Sequence, residues 1–395
     1  MIAALKIVFW VLLFIVFYTY IGYGLLLWLL VKIKHLVKGK AAPADLPADE
    51  ALPTVTFMVC AYNEQDIVEQ KMENIHALDY PSDKLSIVWV TDGSSDDTNA
   101  RLARYPEVEV IFTPERKGKT AALNHGISMI HSDITVMTDA NTMVNAEAIR
   151  EIVRCFQDPQ VACVAGEKRV TARHEGQSAA IGEGLYWKYE STLKRLDGEL
   201  YSAMGAAGEL NAIRTHLYRT MPENALLDDF VMSMRLVDQG YRIAYTPKAY
   251  AMEYGSADIH EESKRKRRIA AGGLQSVWWL RGMTNPFRHF VVAFQFVSHR
   301  VLRWSITPVA LLALIPLNIA LVIMNAGLPY TIILILQLLF YLAALCGWLL
   351  DRQGRKNKPL YVPYYFLFMN VNVFRGMHYL YTHQGGGTWE KAKRG

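Results

Sequence analysis

Cysteine is scarce in this chain: four residues in 395, at positions 60, 155, 163 and 346, and no metal-type spacing among them. That argues against a cysteine-held metal and suits free buried thiols in a reducing compartment. Net charge is small too, since 42 Lys and Arg against 37 Asp and Glu leave +5. The basic excess gathers beside apolar segments, so anionic lipid headgroups, not nucleic acid, are the expected polyanion partner. No aromatic-plus-basic RNA motif, low-complexity tract or internal repeat is present. His125 and His131 have nothing beside them to share a ligand and read as surface residues of a helix.

Charge is absent altogether from residues 7–31, which are rich in Leu, Val, Phe and Tyr. A helix needs about 20 apolar residues to cross a bilayer, so residues 1–34 read as a transmembrane anchor. A cleavable leader would have a shorter apolar core and a small-residue cleavage site. Instead Lys32, Lys34, Lys38 and Lys40 follow, and the positive-inside rule puts the next domain in the cytoplasm. Two further spans fill residues 304–350, split by Asn325-Ala326-Gly327-Leu328-Pro329. Arg352, Arg355, Lys356 and Lys358 follow them on the same side. Residues 285–303 hold Arg288, His289, His299, Arg300 and Arg303 among aromatics, too charged to span and suited to a helix in the membrane interface. Residues 351–395 comprise that basic loop, an interfacial or re-entrant segment at 361–381, and a tail. The expectation is an integral protein of the plasma (bacterial inner) membrane with its catalytic domain in the cytoplasm.

After a linker at 35–53, residues 54–284 alternate strand and helix. Strands are expected at 54–61, 85–91, 108–112 and 134–138, and helices at 65–77, 97–104, 119–130 and 145–156. This α/β alternation implies a parallel sheet covered on both faces. Further on, helices are expected at 183–196, 229–239 and 261–280, and a short strand at 200–206. Trp278 and Trp279 read as membrane-interface anchors.

Two strands end abruptly in acids, Val90-Thr91-Asp92-Gly93-Ser94 and Met137-Thr138-Asp139-Ala140-Asn141. They deliver carboxylates to the carboxyl edge of the sheet, where open α/β folds bind ligands. A nucleotide sugar needs a carboxylate for its base or ribose, a role open to Asp92. It also needs an oxygen-rich site for Mg2+ or Mn2+, open to Asp139. Transfer then needs a base for the acceptor proton and stabilisation of the leaving diphosphate.

Ala61-Tyr62-Asn63-Glu64, Asp92-Gly93-Ser94, Gly118-Lys119, Asp139-Ala140-Asn141, Gly208-Glu209 and Asp228-Asp229 occur in an order that resembles membrane-bound family 2 glycosyltransferases, the cellulose, hyaluronan and poly-N-acetylglucosamine synthases. The resemblance implies a GT-A domain with transmembrane and interfacial helices at both ends, and inverting transfer. It places Tyr62, Glu64, Asp92, Lys119, Asp139 and Arg265 on the donor side. Asp139 matches the first acid of the family's Asp-x-Asp metal motif, with Asn141 in place of the second. Asp229 matches the catalytic base, Asp228 precedes it, and Gly208 and Glu209 fall where the family lines the acceptor site. The family's Gln-x-x-Arg-Trp motif aligns with Arg265 to Ile269, so Arg268 is the arginine that neutralises the leaving diphosphate. Ile269 replaces the acceptor-site tryptophan. Trp389 and Lys391, after three glycines, resemble a gating segment.

The expected partners are a nucleotide-sugar donor, most simply a UDP-sugar, a lipid-linked or growing polysaccharide acceptor, and membrane lipids. A homo-oligomer or export partners would widen a narrow membrane part. Single-sugar transfer to a lipid carrier is the alternative enzyme, and an inactive sugar-binding subunit of an export complex the alternative class.

Overall fold

The computed structural model of the chain describes residues 2–40, 44–171, 178–256, 258–355 and 357–382, with side chains from residue 183 onward in the helix that starts at Ser178. Trp389 and Lys391 lie outside the described residues.

Helix α1 (Ile2–Lys38) is long and apolar enough to cross a membrane. The first half of the domain then runs β1 (Val55–Ala61), α2 (Val68–His76), β2 (Leu85–Asp92), α3 (Thr98–Leu102), β3 (Val108–Thr113), α4 (Lys119–Ser128), β4 (Ile134–Asp139), β5 (Met143–Val144) and α5 (Ala148–Cys155). The second half has β6 (Val161–Thr171), α6 (Ser178–Leu200), β7 (Asn211–Arg214), α7 (Asp228–Asp238), β8 (Arg242–Tyr254) and α8 (Ile259–Trp279). Beyond it come α9 (Phe290–Ile323), α10 (Leu328–Arg352) and α11 (Lys358–Thr382).

The strands form one eight-stranded mixed sheet in the order β3-β2-β1-β4-β7-β6-β8-β5. The parallel half expected from the βα alternation is present, from β3 through β4. The far half is not parallel throughout: β7 runs antiparallel to both β4 and β6, and β5 antiparallel to β8. This is a GT-A-like fold. Period-2 alternation divides β1 between two cores, Met58 joining α4 and α7 on one face, Phe57 and Val59 joining α2 and α5 on the other.

Two expectations need correction. Residues 200–206 do not form a strand; Leu200 closes α6, and the strand lies at Asn211–Arg214. A short apolar run fits either element by pattern alone. The charged segment before residue 304 is not a separate interfacial helix either. It is continuous with the following span in α9, through a π-helical stretch at Val297–Ile306. Three of its charged groups, His299, Arg300 and Arg303, are buried against α6, while Arg288 stays exposed and pairs with Asp238 of α7. His299 Nδ1 lies 2.6 Å from Asp197, and Arg300 and Arg303 meet Glu190 at 2.7 and 3.0 Å. Phe296 and Trp304 of the same helix join the catalytic-domain core, so the domain is mounted directly on a membrane helix.

The segment at 361–381 belongs to one continuous helix, α11, not a re-entrant hairpin. It packs along α8: Tyr365 Oη donates to Glu262 at 2.9 Å, Ser263 Oγ bonds Asn372 Oδ1 at 2.8 Å, and a Cβ on Gly376 would collide with Ala270 and Ala271.

Candidate active site

At the carboxyl edge of β1, β2 and β4, the first two loops are zipped together by side-chain bonds to backbone. Asn63 sits at φ 51, a left-handed conformation that asparagine tolerates. Its backbone N–H donates to Ser94 Oγ at 3.1 Å, and Ser95 N–H returns a bond to Asn63 Oδ1 at 2.9 Å. Glu64 N–H donates to Thr98 Oγ1 at 2.9 Å. The Arg116 guanidinium, from the segment after β3, lies 3.9 Å from the centre of the Tyr62 ring.

Asp92 is buried at the end of β2, and both of its oxygens accept main-chain N–H groups. Oδ1 takes Lys117 at 2.8 Å and Oδ2 takes Gly118 at 2.7 Å. Gly93 at φ +67 lets Arg116 approach, since a Cβ there would lie 2.6 Å from its nitrogen. Asp92 thus fixes the turn that starts α4 and presents Lys119 at the helix N-terminus. Free N–H groups and a lysine together make a natural phosphate site.

Lys119 Nζ meets Asp139 Oδ1 at 2.5 Å and Asp228 Oδ2 at 3.9 Å. Burial works against its charge, but Asp139 and Asp228 outweigh that and hold the ammonium well above its ordinary pKa. Asp229, the second residue of α7, takes its neighbour's Phe230 N–H on Oδ1 at 2.7 Å. Burial, and then the adjacent Asp228 carboxylate, raise its pKa to about 6. Gly208 packs onto the same group. A Cβ there would lie 3.1 Å from Lys119 Nζ, 3.5 Å from Asp229 Oδ2 and 3.9 Å from Asp139 Oδ2. The structure therefore groups Lys119, Asp139, Gly208, Asp228 and Asp229, and all of them except Asp139 line one small cavity together with Cys60. Burial pushes the Cys60 thiol up to about 12, so it packs and does not react.

Arg268 lies one turn before Gly272 on α8. A Cβ on Gly272 would touch Leu226 and Leu227, and Gln275 Oε1 accepts Leu226 N–H at 2.9 Å. Residues 268, 272 and 275 share a helix face, so Arg268 stands on the side of α8 turned toward the acid pair.

Three expected residues point elsewhere. The Glu209 carboxylate does not line an acceptor groove. It turns into a buried network, accepting from Lys168 Nζ at 2.5 Å and from Arg265 at 3.2 Å. Arg265, expected on the donor side, is buried in the same network, bonded also to Glu183. Asn141 faces the network too: its Nδ2 donates to Glu253 Oε1 at 3.3 Å, and Glu253 meets Lys168 at 2.5 Å.

Lys71 went unrecognised in the sequence. It sits on the buried face of α2 with Val68, Met72 and Ile75, and a lysine at an apolar position was the available signal. Its Nζ donates to Thr142 O at 2.5 Å and Thr138 Oγ1 at 3.3 Å, pinning the turn after Asp139 from behind. Burial pushes it down to about 7.

The residues suit a divalent ion in chemistry, though not as a preformed cage. Asp139, Asp228 and Asp229 offer only oxygens and already surround one cation, as hard metals require. Among the described residues no group of three or more His, Cys, Asp or Glu is arranged to hold a metal alone. Donor phosphates would have to complete the sphere, as is usual for magnesium.

A family model described as "Glycosyltransferase like family 2" matches residues 53–272. A poly-beta-1,6-N-acetyl-D-glucosamine synthase of Staphylococcus aureus (strain MSSA476) is 30% identical over 244 residues, 58% of this chain and 56% of that protein. The Staphylococcus epidermidis synthase of the same name is 23% identical over 262 residues, 62% of this chain and 61% of that protein. The chain thus matches little more than half the length of these relatives. Among solved structures, the mannosyltransferase PcManGT of Pyrobaculum calidifontis, in complex with GDP-Man and Mn2+, superposes with a TM-score of 0.69 at 22% identity. That match covers 96% of this chain and 100% of that one, a likeness of fold.

Proposed function

The chain belongs to glycosyltransferase family 2, and from that premise we propose that it transfers a sugar, with inversion, from a nucleoside-diphosphate donor to an acceptor at the membrane surface. The observation that carries this reading is the acid group around Lys119, with Asp229 raised to about 6. A general base works best with a pKa near the operating pH. Asp229 takes the acceptor hydroxyl proton on the carboxylate oxygen left free of Phe230. Lys119 and the N-terminus of α4 bind the diphosphate, and Arg268 neutralises it as its bond to the sugar breaks. Tyr62, Glu64 and Asp92 form the nucleoside end of the cleft. Asp139, with Asn141 at most through water, holds Mg2+ or Mn2+, which when bound supplies positive charge to the phosphate oxygens.

The donor is a UDP-sugar in this reading, and the product is an exopolysaccharide or capsule-type glycan. The named activity of the staphylococcal relatives supports it. Lys32, Lys34, Lys38 and Lys40 favour a cytoplasmic catalytic domain. A second reading, transfer of one sugar to a lipid carrier, is favoured by Ile269, which offers no tryptophan ring to a polymer. Purified full-length protein given manganese and a panel of UDP- and GDP-sugars should release nucleotide with one donor, and Asp229→Asn should abolish the release. Release from no donor, or full activity in excess chelator, would defeat the mechanism.

A further inference from the structure

A second cavity, of about 370 Å³, lies where α6, α8, α9 and α11 meet and Tyr20 of α1 reaches in. That volume falls within the roughly 300–1,000 Å³ common for small-molecule sites. Its walls are aromatic and aliphatic, with Tyr186, Ile269, Trp304, Phe366 and Val373 among them. Tyr20 and Trp304 belong to helices long and apolar enough to span a membrane, so the cavity lies beside the lipid chains. Two cations, Lys266 and Arg303, line it, and no acidic residue does among the described residues.

One aromatic layer separates the cavity from the catalytic centre. Trp304 packs edge-on against Phe230, ring centroids 5.0 Å apart, and Phe230 follows Asp229. Ile269 stands on the cavity wall where the resemblance expects tryptophan, and the smaller side chain leaves the space open. Several polar wall atoms are already engaged: Tyr365 Oη donates to Glu262, Asn370 Oδ1 accepts from Tyr20 at 2.7 Å, and Lys266 and Arg303 pair with Glu262 and Glu190. A sugar lodged here would lose water from more hydroxyls than this mostly apolar wall can repartner. A hydrocarbon chain loses nothing of that kind.

We infer that this cavity holds the apolar tail of a lipid-linked acceptor, an isoprenyl or acyl chain whose phosphate-bearing head reaches toward Asp229. The inference rests on the glycosyl-transfer reading and assigns the acceptor class to it.

The test uses full-length protein in detergent with two photoreactive probes, a hexadecyl phosphate and a farnesyl phosphate, each carrying a diazirine near the chain end. Crosslinks should map to the walls, on α11 near Phe366 and Val373 or on α6 near Leu185. Unlabelled alkyl phosphates should compete more strongly with length, about fourfold per added methylene until the cavity is full. Preference for the farnesyl or the hexadecyl probe decides between isoprenyl and acyl tails. Ile269→Trp and, separately, Val373→Phe should each cut labelling at least tenfold while thermal unfolding shows a folded protein. Labelling that maps elsewhere, ignores chain length or survives both variants overturns the inference. So does competition by N-acetylglucosamine oligosaccharides but not by alkyl phosphates, which would make the cavity a glycan path. Donor turnover by the unmodified protein is measured in parallel. Its absence breaks the transferase reading, whereas turnover without cavity labelling breaks only the tail site.

Discussion

Lys119 meets Asp139 at 2.5 Å with 35% of its side chain exposed, whereas Lys168 meets Glu209 and Glu253 at the same distance with none exposed. The first cluster is partly open to solvent and its acids outnumber its single cation; burial, and then the adjacent Asp228, raise the pKa of Asp229 within it. The second is closed. Lys168 and Arg265 face Glu183, Glu209 and Glu253, one acid in excess against two in the open cluster, and those cations hold Glu209 below the usual carboxylate range despite its burial. An unbalanced, accessible cluster can bind a cation or move a proton. A buried one, in which every acid meets a cation, ties β6, β8, α6 and α8 together behind the site. Similar side chains serve chemistry in one place and architecture in the other, and solvent access with charge balance separates them.

Removing the base should give the largest effect. Asp229→Asn should lower turnover by roughly 10²–10⁴-fold with donor affinity nearly unchanged, read by nucleotide release and by titration calorimetry. Because the folded state disfavours ionised Asp229, that variant should also unfold at a higher temperature than the parent at pH 7–8. An equal loss of stability would show that Asp229 belongs to the structural kind of cluster. If Asp228→Asn proves the more damaging change, the base is misassigned.

Breaking the closed cluster should do the reverse. Lys168→Met leaves Glu183, Glu209 and Glu253 with Arg265 as their one remaining close buried cation, a loss of about 3–5 kcal/mol, visible as a lower unfolding midpoint in detergent. The fraction that stays folded should retain donor binding. Normal stability in Lys168→Met would undo the distinction between the two sites.

Asn141 lies between the clusters and tests where the boundary runs. From the sequence, an aspartate there looks like a gain, since it adds charge to a metal site. In the structure the Asn141 amide donates to Glu253 Oε1 at 3.3 Å, so a carboxylate would face a carboxylate. Asn141→Asp should therefore lower the unfolding midpoint by a few degrees, the scale of roughly 1 kcal/mol, and leave manganese affinity no tighter. Tighter metal binding at unchanged stability would place Asn141 in the open site. Asp139→Ala, by contrast, should remove metal-dependent donor binding altogether.

The open site was far more legible in the sequence than the closed one. Asp92, Asp139 and Asp229 stand at the ends of strands or the start of a helix, where short motifs are readable. The pair Lys168 and Glu253 is separated by 85 residues, and nothing local marks either as a partner. Strand β8 (Arg242–Tyr254) escaped notice because Pro247 and Lys248 interrupt its apolar alternation. The buried charges of α9 looked like a reason for it to lie in the interface, since their partners Glu190 and Asp197 sit on a helix more than 100 residues earlier. Glu209 was misplaced because its neighbour Gly208 does line the site, whereas the turn they share sends the Glu209 side chain into the buried network.

The smallest effect, and the most direct measure of charge imbalance in the open cluster, is a shift in pH dependence. Asp229 must be ionised to accept a proton, so kcat/KM should fall as pH drops through about 6, where the free enzyme protonates it. Burial is the first cause of that raised value, the negative charge of Asp228 the second, and Lys119 opposes both. Asp228→Asn removes a like charge, so the acid limb should move to lower pH. Lys119→Met removes the opposing cation, so the limb should move to higher pH, beyond whatever donor affinity is lost. Opposite displacements in the two variants, read from kcat/KM profiles at saturating manganese, would identify the limb with Asp229. A limb that stays fixed in both variants would belong to another group, and the raised carboxylate would then have no part in transfer.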